Sequence, residues 1–164
     1  MAESCAEQGY AASSVADVSK RAGVSTASFY RQFKDKRECM LTSFEELFER
    51  LLEALEGACA GEVDPAGKAR AGAAAAAELL AADPPTARLL SVEILAVGSE
   101  GVRAQHEAIE RMAALLRGSS EALTPQPPDP AWASVAAMVS LVGRRVAEGA
   151  KPDPAELSAL AVLL

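Results

Sequence analysis

The residue types most suited to recognition chemistry in this 164-residue sequence lie in a polar run from Thr26 to Gln32. Ser25 can cap a helix on which Phe29 and Phe33 share one face, because residues four apart are neighbours on a helix. The other side chains then point away from that face. Glutamine amides pair with adenine and methyl groups meet the thymine methyl in DNA. The candidates for base contacts are Thr26, Ala27, Ser28 and Gln32, with Arg31 beside them.

Two short helices joined by a glycine turn are predicted around this run. Ser14 can cap the first helix, and Asp17 completes a capping box with it. Gly23 supplies the positive φ that a sharp helix exit requires. Asp35 and Glu38 repeat the capping-box pattern and open a third helix. The sequence therefore predicts a helix-turn-helix, which is a DNA-binding unit.

Positive charge is concentrated in the same segment. Between residues 20 and 37, six Lys and Arg residues are opposed only by Asp35, although the whole chain has a net charge of -7. From Leu41 onward, ten Lys and Arg stand against eighteen Asp and Glu, a net charge of -8. A polyanion attracts the first segment and repels the second. Only one end of the molecule is therefore expected to contact DNA.

A characteristic set of residues lies between positions 5 and 50: Gly9-Tyr10, Ala22-Gly23-Val24-Ser25, Phe29-Tyr30, Phe33 and Lys36. These residues resemble the amino-terminal domain of the TetR family of bacterial transcriptional regulators. The resemblance implies that Ser14, Tyr30 and Lys36 position the DNA backbone, while a core position is the alternative for Tyr30. Relatives usually have a full first helix and often a basic arm, so helix one is expected to be truncated, with residues missing before Met1.

The whole chain is predicted to be all-α, with a small and a larger domain. Aromatic residues make up 4% of the chain, alanine is abundant and no alternating run suggests a strand. Residues 1–45 are expected to form the helix-turn-helix DNA-binding domain and residues 46–164 the ligand-binding and dimerisation domain. An apolar stripe from Met40 to Leu55 predicts a long helix that joins them. No membrane span or signal peptide is visible, which predicts a cytoplasmic protein.

Glycine and proline divide the larger domain into helices. Breaks at residues 61–67, at Asp83-Pro84-Pro85 and at residues 98–101 interrupt the pattern. The segments between them predict helices up to about Ala82, from Thr86 to Val97 and from Val102 to Arg117. Residues 118–130 are predicted to be a long exposed loop.

Apolar stripes near the carboxyl end form a candidate dimer interface. The first steps by three and four residues, as in a seam between packed helices. The resemblance implies that two helices pair with their copies in a four-helix interface, so that the homodimer binds a palindromic DNA operator. Ordinary intrachain core is the alternative. The stripe residues are Trp132, Val135, Val139, Val142, Val146, Leu157, Leu160 and Leu164.

A mostly apolar cavity with a few polar groups is expected in the larger domain. The resemblance implies that a small lipophilic effector enters it and releases the operator, which makes the protein a ligand-responsive repressor. An activator, or a ligand-binding protein with weak or lost DNA binding, is the alternative. A solvated or core histidine is the alternative for His106, and a helix-surface charge for Glu93. The candidate pocket residues are Arg88, Glu93, His106, Met112, Trp132 and Met138.

Catalytic and metal chemistry are disfavoured. The chain has one histidine and lacks a Gly-rich phosphate loop and a Gly-x-Ser-x-Gly elbow. Buried reduced thiols are the simplest interpretation of Cys5, Cys39 and Cys59, which lack metal-ligand spacing; redox sensing is the alternative. No enzyme activity, metal or cofactor is therefore expected.

Overall fold

The computed structural model describes residues 1–117 and 129–160, and these residues form helices with no strand. This confirms the all-α prediction. Within the same residues, no helix is long and apolar enough to cross a membrane. The order is α1 (Ala2–Ala12), α2 (Val15–Arg21), α3 (Thr26–Gln32), α4 (Lys36–Cys59), α5 (Pro65–Ala82), α6 (Pro84–Ser91), a 3-10 helix (Glu93–Val97), α7 (Ser99–Arg117), α8 (Pro130–Ala147) and α9 (Pro154–Ala159).

Side-chain caps determine where helices begin in the amino-terminal part of the chain. The Ser14 hydroxyl accepts from the Asp17 amide, and the Asp17 carboxylate accepts from the Ser14 amide, so the predicted capping box is confirmed. The Asp35 carboxylate caps α4 by accepting from the Glu38 amide at 2.8 Å. The Glu38 carboxylate instead accepts from the Lys34 amide. The reciprocal half of the second predicted box is therefore wrong, because Glu38 satisfies an amide one residue before the cap.

Prolines begin helices in the larger domain where the sequence pattern predicted breaks. Asp64 caps α5 and Asp83 caps α6, each followed directly by proline. Proline suits the first turn because its missing N–H would have no partner there. The predicted helix 86–97 is divided at Val92 into α6 and the tighter 3-10 helix. The predicted loop 118–130 lies mostly outside the described residues.

The helix α4 connects the two parts of the molecule. Its predicted apolar face is buried over almost its whole length, from Met40 to Leu55. The amino-terminal unit has a small core of its own, made by Val18, Phe29 and Cys39. In the larger bundle, α5 packs on α4, α9 on α5, α8 on α7, and α6 between α1 and α8. The proposed boundary at residue 45 therefore falls inside one continuous helix.

Candidate DNA interface and ligand cavity

The predicted base-contacting residues share the outer face of α3. Phe29 is buried beneath this helix and contacts the Tyr30 ring edge-on, with a centroid distance of 5.5 Å. Tyr30 is 56% exposed, which excludes the core alternative within this chain. The structure therefore presents a polar surface held by an apolar anchor. The exposed residues of this face are Thr26, Ala27, Tyr30, Arg31 and Gln32.

The beginning of α3 is fixed by a small hydrogen-bond cluster. The Ser25 hydroxyl accepts from the Ser28 amide at 3.0 Å, which confirms the predicted cap. Gly23 precedes it with a φ of 67°, as the turn prediction required. The Arg31 guanidinium donates to the Ser28 hydroxyl at 2.8 Å. The half-buried Ser28 is therefore engaged within the helix, while Thr26 lies fully on the exposed side.

Lys36 has a structural role that the sequence did not predict. Its ammonium donates to the carbonyl oxygens of Tyr10 and Ser13, both at 2.7 Å. It also lies 4.2 Å from the centroid of the Tyr10 ring. These bonds satisfy carbonyls at the end of α1, which a helix leaves without internal partners. Lys36 therefore ties α1 to the start of α4, and its side chain is directed into the protein.

The basic residues differ in how far acidic side chains neutralise them. Arg21 pairs with Glu3 and Glu7, and Arg37 pairs with Glu100 at 2.8 Å. Lys20, Arg31 and Lys34 are exposed around the recognition helix. Salt bridges at exposed sites contribute little stability, but they reduce the local positive potential. The positive field of the amino-terminal unit is consequently strongest near α3.

A buried carboxylate joins the amino-terminal unit to the larger bundle. Glu93 is 6% exposed, accepts from the Tyr10 amide at 2.7 Å and pairs with Arg88 at 2.8 Å. Its oxygens also lie beside the kink of α1 at Gly9, whose φ is 78°. Glu93 and Arg88 therefore hold α1 against the 3-10 helix. The surface alternative for Glu93 is wrong, because the carboxylate is buried against the backbone amide of Tyr10.

An apolar cavity of about 110 Å³ lies between the helices of the larger bundle. Phe44 and Phe48 of α4 form one wall, and Leu90 of α6 forms another. Of the predicted pocket residues, Met112 and Met138 line the cavity, whereas Arg88, Glu93, His106 and Trp132 do not. The polar side chains in its lining are Cys59, Ser91 and Gln105.

His106 and Trp132 lie together outside the cavity. Their ring centroids are 6.1 Å apart in an edge-on arrangement, and His106 is exposed. The solvated alternative therefore describes His106. Gln105, the residue before it, is one of the pocket residues that the sequence analysis missed. Gln105 could have been found from its spacing: it lies three positions before Ala108 and four before Ile109, so it shares the apolar face of α7 with them.

The predicted dimer stripe is divided between the interior and the surface. Val135, Val142 and Leu157 are buried in the single chain and line the cavity, as the intrachain alternative stated. Their inward direction follows from the packing of α8 on α7 and of α9 on α5. Leu164 lies outside the described residues. The half-buried stripe residues are Trp132, Val139, Val146 and Leu160.

The three cysteines are buried free thiols, as predicted. Burial raises the pKa of Cys5 to about 11, and the nearby negative charge of Glu93 adds to this effect. Burial also raises the pKa values of Cys39 and Cys59. Since the thiolate is the reactive form, these environments disfavour redox sensing. Among residues 1–117 and 129–160, no group of three His, Cys, Asp or Glu is placed to hold a metal ion.

Comparisons with known proteins place these features in a family. Residues 2–42 match the family model described as bacterial regulatory proteins, tetR family. The fold is similar to that of the fatty acid degradation regulator FadR from Bacillus halodurans, with a TM-score of 0.79, 18% identity, and coverage of 99% of this chain and 89% of that one. No curated protein sequence matches the chain.

Two further solved structures agree with this fold. FadR from Bacillus subtilis in complex with stearoyl-CoA is 20% identical, with a TM-score of 0.78 over 99% of this chain and 92% of that one. The regulator PfmR from Thermus thermophilus is 23% identical, with a TM-score of 0.61 over 99% of this chain and 92% of that one. Residues 2–42, which contain the helix-turn-helix, therefore match the family of bacterial regulatory proteins, tetR family, and the whole chain shares the fold of these solved regulators.

Proposed function

We propose that this regulator is a homodimeric repressor that binds a palindromic operator and is released by a small lipophilic effector. The proposal rests on the observation that α4 belongs both to the DNA-binding unit and to the wall of the cavity. This helix begins beside the recognition helix and then supplies Phe44, Phe48, Leu51 and Leu55 to the cavity wall. A ligand that moves the wall therefore acts on the element that carries the DNA-binding unit.

The DNA contacts come from the exposed face of α3. Thr26, Ala27 and Gln32 reach base edges in the major groove, and Ser28 joins them when Arg31 turns toward a phosphate. Tyr30 and the exposed Ser14 contact the DNA backbone. Lys36 supports them indirectly, because its ammonium holds the end of α1. This assignment replaces the phosphate contact that the resemblance implied for Lys36.

The homodimer pairs the outward faces of α8 and α9. Since Val135, Val142 and Leu157 are occupied within the chain, the contact uses the half-buried Val139 and Val146 and the small residues beside them. Ala133 and Ser140 are exposed on this side of α8. Small side chains permit close approach of two helices. Two-fold symmetry then sets two copies of α3 about one turn of DNA apart.

The effector acts by enlarging the cavity. A cavity of about 110 Å³ is smaller than one of roughly 150 Å³ that holds benzene. A larger lipophile must therefore displace the α4 and α6 walls, and α6 leads directly to Glu93 and its bond with α1. A hundredfold loss of operator affinity requires about 3 kcal/mol of coupling between the two sites. The stearoyl-CoA bound by the similar Bacillus subtilis regulator supports a lipophilic effector.

Selection of bound sequences from random duplex DNA tests the proposal. The full-length protein should enrich one palindrome, and the Gln32→Ala variant should change the preferred base at one position in each half-site. Glu107→Gln is a matched control, because Glu107 is exposed on α7. Absence of enrichment by a folded dimer would instead favour a ligand-binding protein that has lost its operator.

A further inference from the structure

A surface groove of about 350 Å³ continues from the cavity between the 3-10 helix, α7 and α8. Leu95, which is 44% exposed, and Ser140 lie along it. Four residues line both the groove and the cavity and therefore stand at their junction. These are Ser91, Gln105, Ile109 and Val139.

Among the residues that the structure describes, no charged side chain lines the cavity or the groove. Lys, Arg, His, Asp and Glu are absent from the residues that form both. Moving an ion from water into such surroundings without a partner costs several kcal/mol. Arg144, which follows the groove residue Gly143, is exposed, and its guanidinium lies 3.9 Å from the Glu148 carboxylate. A carboxylate, phosphate or ammonium is therefore excluded from the junction and from the cavity.

The junction does offer neutral hydrogen-bonding groups. The Ser91 hydroxyl donates to the Ala87 carbonyl at 2.6 Å, so its proton is already used. The half-buried Gln105 amide makes no hydrogen bond within the described part of the chain, and its N–H groups are available to a ligand. An amide that loses contact with water favours a ligand that supplies an acceptor. A carbonyl oxygen is such an acceptor and carries no charge.

We propose that the effector is an uncharged lipophile with one carbonyl group, which rests on the function proposed above. Its hydrocarbon part fills the cavity, and its ester, thioester, amide or ketone oxygen accepts from Gln105 at the junction. Two sources share this chemistry: a free neutral lipid, and an acyl thioester whose charged carrier remains outside the cavity.

Displacement of a neutral dye from the full-length protein tests the ligand class. N-phenyl-1-naphthylamine reports occupation of the apolar site near neutral pH. Methyl octanoate, octanoate and octylammonium share a chain of similar length but differ in charge. We expect the ester to bind about tenfold or more tightly than either ion. Octanoyl-CoA is the fourth compound tested. If both octanoyl-CoA and the ester displace the dye, the effector is an acyl thioester. If the ester alone displaces it, the effector is a free lipid.

Variants at Gln105 separate the hydrogen bond from simple burial. Gln105→Leu should weaken methyl octanoate binding about fivefold, the value of one ordinary hydrogen bond, and should not weaken dye binding, because the dye offers no carbonyl acceptor. Gln105→Glu should transfer the preference to octylammonium, because it places a negative charge at the junction. Gln8→Leu, on the exposed side of α1, is the matched control and should change neither.

The outcomes distinguish this inference from the function on which it rests. If octanoate or octylammonium binds as tightly as the ester and still releases the selected operator, the neutral ligand class is overturned and the repressor remains. An unchanged ester affinity in Gln105→Leu would overturn the role of Gln105. If the ester binds but the operator stays bound, the ligand class holds and the release mechanism fails. If nothing displaces the dye or releases DNA, both proposals fail.

Discussion

The recognition surface and the cavity are built in opposite ways. The first is polar, exposed and continuous in sequence, since residues 26–32 form about two turns of α3, which Phe29 anchors to the core. The second is apolar and is assembled from α4 to α9, with Ser91 and Gln105 as the polar residues at its junction with the groove. Local caps and spacing therefore specify the surface, whereas long-range packing specifies the cavity. Helix α4 and Glu93 connect the two regions.

Replacing a buried phenylalanine by alanine in each region should have the largest effects, and these effects should differ between DNA binding and dye binding. Phe29→Ala and Phe48→Ala both remove a buried ring and should each lower the free energy of unfolding by about 3–5 kcal/mol. Phe29→Ala also removes the support of α3, so operator affinity should fall while dye binding persists. Phe48→Ala widens the cavity, so dye binding should persist or strengthen. Urea unfolding, DNA anisotropy and dye titration measure the three quantities.

If both variants changed operator affinity and dye binding in the same way, the two regions would not be independent. In particular, normal operator binding by Phe29→Ala would show that α3 does not depend on its buried ring. Loss of dye binding in a folded Phe48→Ala protein would show that the cavity is not the apolar site. Leu52→Ala provides a control, because Leu52 is buried in the core of α4 but does not line the cavity.

The Glu93→Gln variant should weaken the coupling between ligand binding in the cavity and operator release. The new amide still offers an oxygen to the Tyr10 N–H, but it loses the charge that faces Arg88. Since a hydrogen bond to a charged group contributes about 1.5–3 kcal/mol, operator release by methyl octanoate should weaken about tenfold. Ester binding itself should change little. The ratio of operator affinities with and without ester measures this coupling.

A control on the surface separates coupling from charge alone. Glu107 is exposed on α7, and its carboxylate lies 3.9 Å from Arg103. Glu107→Gln removes the same charge without touching α1, so it should leave the ratio unchanged. If the ester still released the operator fully from the Glu93→Gln variant, the effect of ligand binding would reach the DNA-binding unit through α4 alone.

The contrast also explains how far the sequence could predict this molecule. Capping at Ser14 and Ser25 and the turn at Gly23 depend on neighbours within a few residues, and these predictions are confirmed. Besides the neighbouring Arg88, Glu93 binds the amide of Tyr10, which lies 83 positions away along the chain. Local patterns hold no information on such a contact. The direction of Lys36 was missed for the same reason, because it depends on where α1 ends.

Salt dependence should distinguish a phosphate contact from a structural ammonium. Arg31→Ala should reduce the slope of log affinity against log salt by about 0.9 and weaken all DNA sequences similarly. Lys36→Met should leave the slope unchanged but lower the free energy of unfolding by about 1.5 kcal/mol, because carbonyls of Tyr10 and Ser13 lose a charged donor. Anisotropy titrations at several salt concentrations measure the slopes. A smaller slope in Lys36→Met would restore the phosphate contact that the family resemblance implied.

Acid should weaken the recognition surface slightly before it weakens the cavity. Hydrogen bonds from Ser14 lower the pKa of Asp17 from its ordinary value of 3.8, and the Glu38 amide likewise lowers that of Asp35. Groups with a depressed folded pKa stabilise the fold above the unfolded value, and this contribution is lost as the pH falls through the folded one. Amide exchange in α2 and at the start of α4, which these two carboxylates cap, should therefore accelerate below about pH 4 before exchange in α7 does.

The variant Asp17→Asn isolates the titrating group. Asparagine accepts the same hydrogen bonds but does not ionise in this range, so the early acceleration in α2 should shrink. Asp153→Asn, at the exposed start of α9, makes the matched change in the larger bundle and should not affect α2. If acid opens α2 and α7 together in both variants, the two regions unfold as one unit, because the continuous core of α4 then outweighs the local caps.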